Sequence, residues 1–126
     1  MAITASHVDQ YAPRTTGVHN VYLSKWKGKE NSNLDQQWVY NNEERSVKSI
    51  GIPGGALFEG YNKNMIVYNW RGLHNQRFHY NMVNKKFTNA FTGNAVDVYG
   101  DKLIEGENIN SNEPDATVGQ EWDLMY

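Results

Sequence analysis

The sequence predicts an all-β fold made of three copies of one unit, and three observations carry that prediction. A Gln followed two residues later by an aromatic ring occurs as Gln36/Trp38, Gln76/Phe78 and Gln120/Trp122. The Gln positions are separated by 40 and 44 residues in a chain of 126, which defines a unit of about 42 residues. Nowhere do apolar residues recur at i, i+3, i+4 and i+7 over a helical length; short runs rich in β-branched and aromatic residues alternate instead with turn signals.

In chain order, Ile3 to Val8 alternates, and the Pro13–Gly17 stretch is a turn-rich connection. His19 to Trp26 reads as a strand, Lys27 to Leu34 as a polar loop, and Gln36 to Tyr40 as the next strand; a turn at Asn41 to Arg45 leads into the alternating Ser46 to Ile50. The breaker cluster Gly51-Ile52-Pro53-Gly54-Gly55 opens the second unit. Its strands are expected at Ala56 to Glu59, Met65 to Trp70, Gln76 to Tyr80 and Phe87 to Phe91. The third unit has expected strands at Ala95 to Tyr99, at Leu103 to Glu105 and from Gln120 to the last residue. Glu107 to Val118 is expected as a long polar loop. Aligning the units also brings three acids into register, each preceded by an apolar residue and followed two residues later by Tyr: Val8-Asp9-Gln10-Tyr11, Phe58-Glu59-Gly60-Tyr61 and Val96-Asp97-Val98-Tyr99.

Composition narrows the function. The chain has no Cys, so disulfides and thiolate metal sites are excluded. The four His follow no ligand spacing, so neither a metal nor another cofactor is expected. Net charge is −2 and the basic residues are scattered. The nearest approach to a cluster, Lys25-Trp26-Lys27-Gly28-Lys29, runs directly into Glu30, so no nucleic-acid partner is expected. No apolar run approaches the ~20 residues of a membrane helix, so no membrane insertion is expected. The first residues carry neither a charged n-region nor an apolar h-region; the expectation is a cytoplasmic chain, or one released without a recognisable signal peptide. Eight Tyr, four Trp and abundant Asn suit recognition of polar, uncharged ligands, and exposed rings also suit a homodimer interface.

Four-stranded units of this length also make propeller blades, but a propeller needs at least four. Three units with pseudo-threefold symmetry point to a β-trefoil, a six-stranded barrel capped by three hairpins. Residues 1–126 then form a single domain with repeats of approximately 1–50, 51–91 and 92–126. In that setting the motif aromatic packs near the axis, and the motif Gln satisfies main-chain groups where strand meets loop.

At these residues the sequence resembles the ricin-B-type lectins, the Gln-x-Trp β-trefoils, over essentially the whole chain; one motif carries Phe in place of Trp. The resemblance implies a carbohydrate-binding lectin, probing glycans or glycoconjugates through one shallow pocket per repeat and gaining strength from multivalency. In each pocket an acid accepts bonds from sugar hydroxyls, a ring stacks on the sugar's apolar face, and the Asn before the Gln adds a polar contact. Carried onto this sequence, the middle repeat offers Glu59 as the acid, Tyr68 as the ring and Asn75 as the polar contact, with Trp70 and His74 adjacent. Glu59 departs from the family's Asp. In the first repeat Asp9 is the acid and Asp35 stands in the Asn position; counting forward from Asp9 puts Ser24 at the stacking position, whereas alignment on Trp-x-Gly pairs Trp26 with Trp70 and favours Trp26 as the ring. In the third, Asp97 is the acid, Gly119 replaces the Asn and Gly106 falls where Tyr68 stands, so that the site is either lost or rebuilt around Tyr99 and Asn112.

Two rival readings remain at this point: a β-trefoil protease inhibitor acting through a protruding 107–118 loop, and the glycan- or receptor-binding module of a toxin. No nucleophile–base pair is visible, and the expectation is a protein that is not an enzyme.

Overall fold

The computed structural model describes residues 1–9, 18–28, 31–60 and 62–124. Among the described residues ten strands follow one another: β1 (Ala2–Asp9), β2 (His19–Ser24), β3 (Trp38–Asn41), β4 (Ser46–Ser49), β5 (Gly55–Glu59), β6 (Met65–Asn69), β7 (Phe78–Asn81), β8 (Lys86–Asn89), β9 (Ala95–Val98) and β10 (Ile109–Asn112). They pair antiparallel in two sheets, β1-β2-β6-β5-β4-β3 and β10-β9-β8-β7. A 3-10 turn at Asn31–Gln36, His74–Gln76 and Val118–Gln120 precedes each motif aromatic. This is a β-trefoil.

The pseudo-threefold relation is written in hydrogen bonds. Each motif Gln uses both ends of its amide on the segment that leaves the second strand of its unit. Gln36 Nε2 donates to Lys25 O at 2.7 Å and its Oε1 accepts from Lys27 N. Gln76 does the same with Asn69 O at 2.8 Å and Arg71 N, and Gln120 with Glu113 O at 2.9 Å and Asp115 N. Gln76 and Gln120 are wholly buried, so the cost of an unpaired buried amide keeps these residues in place without any ligand.

A second threefold element is an asparagine ring. Asn20 Nδ2 donates to Asn108 Oδ1, Asn108 Nδ2 to Asn64 Oδ1, and Asn64 Nδ2 to Asn20 Oδ1. Each amide gives one bond and takes one, so replacing any member strands two neighbours. Asn64→Ala is expected to lower stability by about 1–3 kcal/mol in a chemical denaturation curve; a shift of a few tenths would mean that the ring is decorative.

The hairpins β3–β4 and β7–β8 are built alike. The side chains of Asn41 and Asn81 cap their four-residue turns, accepting from the amides two and three residues on. The turns end on Arg45 (φ 61°) and Lys85 (φ 60°) in the left-handed region. Each turn then locks onto the following unit. Arg45 O accepts from Phe78 N and Lys85 O from Trp122 N, while Tyr40 Oη donates to Phe78 O and Tyr80 Oη to Trp122 O. Phe78, Leu23, Met65 and Ile109 are the largest fully buried apolar side chains, and Trp38 and Trp122 pack against the core.

The third unit departs from expectation in two places: Gln120 closes a 3-10 turn and residues 121–124 form no strand, and the strand expected before the loop is misplaced. Leu103 to Glu105 is not a strand: Leu103 and Ile104 are exposed. The strand lies later, at Ile-Asn-Ser-Asn in β10, inside the segment expected to be a loop. Pairing decides here against propensity. β10 runs Ile109↔Val98 to Asn112↔Ala95 along β9, and the bridges Tyr22↔Asn108 and Asn64↔Asn110 tie it to the other units. The 107–118 segment therefore lacks the long protruding loop that an inhibitor would insert into an enzyme.

Candidate functional site

The glutamine bonds and strand registers fix which residues are equivalent, and they correct the alignment of acids. Lys25, Asn69 and Glu113 receive the same bond, so Ser24, Tyr68 and Asn112 correspond. Their cross-strand partners are Ala2, Ala56 and Ala95. Two residues further along those strands stand Thr4, Phe58 and Asp97. Glu59 instead corresponds to Ala5 and Val98. The acids are therefore not in register: Glu59 stands one step beyond the position of Asp97, and one step along a strand is the opposite face, while Asp9 lies further along β1, past an irregularity in its pairing.

That shift separates Glu59 from Tyr68. Tyr68 shares a face with Phe58, whose ring it meets edge-on at 5.8 Å, and Arg71 lies over it at 5.5 Å. Glu59 is buried on the other face beside its partner Met65. Its Oε2 accepts from Thr92 Oγ1 at 2.8 Å, and its Oε1 is buried with no partner. Asn75 joins Glu59, not Tyr68, by donating to the Glu59 main-chain carbonyl at 2.8 Å. His74 is exposed and stacks on Phe91 at 4.7 Å.

Other candidates serve the frame. Trp70 is held between Lys48 and Arg77, whose charged groups lie 5.2 and 5.4 Å from its ring centre. Arg77 also donates to Glu44 O and Gly72 O. Trp26 corresponds to Trp70 and lies on the wall of a large apolar cleft. Asp35 precedes Gln36 and is half-buried; its main chain passes so close to Gly51 that a Cβ there would sit 2.8 Å from Asp35 N. Asp9 ends β1 opposite His19, and its side chain lies outside the described residues, as do Gln10, Tyr11 and Tyr61.

The third unit, which the sequence ranks lowest, holds a polar pocket. It is lined by Lys63, Asp97, Gly100, Asp101, Asn112, Glu113 and Asp115. Asp97 is 5 % exposed. Its Oδ2 accepts from Asn112 Nδ2 at 3.1 Å and Gln120 Nε2 at 3.4 Å, while its Oδ1 is buried and unpartnered. Burial pushes the Asp97 carboxyl above the ordinary aspartate range; the bonds from Asn112 and Gln120 oppose this, and the charges of Asp101 and Asp115 add to it. Asp115 is pulled the other way, below its usual range, by bonds from Thr117.

Gly119 lies tight against the carboxylates of Asp97 and Asp101. A Cβ on it would stand 2.9 Å from Asp97 Oδ1 and closer still to Asp101 Oδ1. An Asn there has no room, because the Asp101 carboxylate already occupies that space. Asp101 reaches it from a left-handed conformation, φ 55°, in the 3-10 turn Tyr99–Asp101. Asp101 and Asp115 are the residues that sequence reasoning missed. The Gly100-Asp101 pair was visible only as a turn signal, and the glycine in place of Asn left the site either lost or rebuilt around Tyr99 and Asn112, with no sign of a second acid.

No protein-family model and no curated protein matches the sequence. Among solved structures, the chain is similar to a mosquitocidal holotoxin, with a TM-score of 0.71 and 18 % identity, over 95 % of this chain and 15 % of that one. It is also similar to the β-trefoil lectin of the Vibrio vulnificus hemolysin/cytolysin, solved with N-acetyl-D-lactosamine bound, with a TM-score of 0.68 and 12 % identity, over 97 % of this chain and 84 % of that one. The chain thus matches a small part of the holotoxin and nearly all of the lectin domain, and at these identities the likeness is one of architecture: the chain has the β-trefoil fold.

Proposed function

We propose that this chain is a non-catalytic carbohydrate-binding domain whose working pocket is that of the third unit. The observation that carries the reading is Asp97: a buried carboxylate in the lining of the polar pocket, with Oδ2 satisfied and Oδ1 without a partner. Leaving a buried acceptor unpaired costs roughly 1–3 kcal/mol, and a sugar hydroxyl donating to Oδ1 would recover that cost. Asp101 and Asn112 offer the further acceptor and donor that vicinal hydroxyls need. The architecture shared with a sugar-bound lectin supports the reading.

The pocket also sets a preference. With Asp97, Asp101, Glu113 and Asp115 around it and Lys63 alone of opposite sign, carboxylated or sulfated glycans are repelled and neutral ones admitted. The equivalent surface of the middle unit carries Phe58 and Tyr68, a stacking face without a carboxylate, and that of the first unit Thr4 and Ser24. Binding therefore rests on unlike sites, the third strongest, in place of three equal ones. The same pocket would serve if the domain is the receptor-binding part of a toxin, a role in keeping with its likeness to 15 % of the holotoxin chain.

The test is a glycan array probed with the chain displayed at high valency, beside Asp97→Asn. Neutral glycans should be retained by the parent and lost by the variant. Absence of glycan binding at any valency would overturn the proposal, as would equal binding by both proteins.

A further inference from the structure

The bonds of the motif glutamines fix one more set of equivalent positions. The main-chain N–H that donates to the glutamine Oε1 belongs to Lys27 in unit one, to Arg71 in unit two and to Asp115 in unit three. Asp115 lines the polar pocket, so Arg71 holds the corresponding place in the middle unit. Phe58 stands there where Asp97 stands, and Tyr68 where Asn112 stands. Two carboxylates of the third pocket are thus replaced, one by a ring and one by a guanidinium. Lys27 supplies a cation at the same place in unit one, but Thr4 and Ser24 give it no ring to work with.

The middle unit therefore has the opposite sign. Phe58 and Tyr68 are half-buried, with ring centroids 5.8 Å apart. The exposed Arg71 lies over Tyr68, its Cζ 5.5 Å from the ring centre, and among the described residues it forms no ion pair. The cations beside Trp70 are committed elsewhere: Lys48 pairs with Glu44 at 3.2 Å, and Arg77 donates to the main-chain oxygens of Glu44 and Gly72. Glu59 is on the opposite face of the sheet, its Oε2 held by Thr92. A sugar on this face meets rings but no carboxylate to receive its hydroxyls. An anionic group meets a guanidinium, a planar fork of five N–H donors.

We propose that the middle unit binds a carboxylated saccharide unit, a hexuronic or sialic acid, with Arg71 pairing its carboxylate and Tyr68 carrying the apolar face of the sugar ring. The sugar takes the place of the guanidinium on the Tyr68 face, and the guanidinium moves to the carboxylate at the sugar's edge, where two parallel N–H bonds fit its two oxygens. This inference rests on the carbohydrate-binding reading of the domain but not on the third-unit pocket, whose acids repel the same ligand. The two sites divide the work by charge: hydroxyls go to the acids of unit three, a carboxylate to the arginine of unit two. A glycan that carries both neutral and acidic units offers a partner to each.

The probes are the methyl glycosides of glucuronic acid and of N-acetylneuraminic acid, with methyl glucoside and its sulfate ester beside them. Each is titrated into the full chain and followed by amide chemical shifts in nitrogen–proton correlation spectra. At least one of the two acids is expected to move the amides of Tyr68, Asn69 and Arg71 saturably. Its binding should weaken with added salt and by about tenfold in Arg71→Gln, the loss of a charge-assisted pair. The neutral glucoside should leave those amides unmoved. Weaker binding of the sulfate ester supports bidentate pairing with a carboxylate, and equal binding overturns that assignment. If neither acid moves the Arg71 amide, or Arg71→Gln binds it equally well, the proposal fails. The spectra report the two sites separately: shifts at Arg71 without any at Asp97 support this site and count against the third-unit pocket alone, whereas shifts at Asp97 alone overturn this site and leave that pocket standing.

Discussion

Phe78→Ala is expected to lower the stability of the chain by about 3–5 kcal/mol, the cost of a deleted core aromatic. Phe78 is the largest of the fully buried side chains, 1 % exposed. Unlike Trp38 and Trp122, whose indole N–H groups donate to Ile3 O and Val96 O at 2.9 and 3.0 Å, it has no polar handle and contributes by burial alone. Its main chain is pinned from the preceding unit, N–H to Arg45 O and carbonyl to the Tyr40 hydroxyl. Those bonds survive truncation and prevent the site from collapsing, which puts the loss at the upper end of the range. Tyr68→Ala is the comparison. Its half-buried ring meets Phe58 edge-on, and its loss should cost no more than about 1.5 kcal/mol. Urea denaturation with an unchanged slope reads both. A Tyr68→Ala protein that unfolds as early as Phe78→Ala would mean that the outer aromatic face belongs to the scaffold.

The contrast between these two rings shows what was legible in the sequence. Scaffold positions repeat because all three units need them: Gln36, Gln76 and Gln120 satisfy the same main-chain groups, and that demand reveals the fold before any coordinates. Asn20, Asn64 and Asn108 repeat as strictly, but a lone Asn among many reads as a turn residue, so the ring stayed hidden. Site positions behave oppositely. Thr4, Phe58 and Asp97 are equivalent yet share no chemistry, so an alignment seeking three acids slid by one residue and gathered Glu59, on the wrong face, with Asp97. The misplaced strand at 103–105 has a related cause. Leu103 and Ile104 carry β propensity but no partner, whereas Ile109 to Asn112 has weak propensity and a complete register with β9. That register with β9, and the bridges that tie the segment to Tyr22 and Asn64, are not visible in a local window.

Asp97→Asn is expected to move stability and binding in opposite directions. The Asp97 carboxyl lies above its ordinary range because burial, with Asp101 and Asp115 adding, disfavours the charged form more than Asn112 and Gln120 favour it. The folded chain therefore holds this proton more tightly than the unfolded chain does. Stability is greatest at low pH, where Asp97 is protonated in both states, and declines as pH rises through the interval between the ordinary aspartate value and the raised one. An Asn at this position cannot ionise. Its Oδ1 can still accept from Asn112 and Gln120, and its Nδ2 faces Asp101 as a donor. The variant should thus match the parent at low pH and exceed it at neutral pH, with the difference opening across that same interval. Glycan affinity should fall, by about tenfold to a hundredfold for the loss of charge-assisted bonds. Melting curves from pH 3 to 8, set beside glycan titrations of both proteins, separate the two effects. If the variant is less stable than the parent at neutral pH, Asp97 is a structural carboxylate and the pocket loses its claim to a ligand. If it is more stable and binds no glycan, the domain retains a costly buried charge at the one position where a sugar hydroxyl would need it.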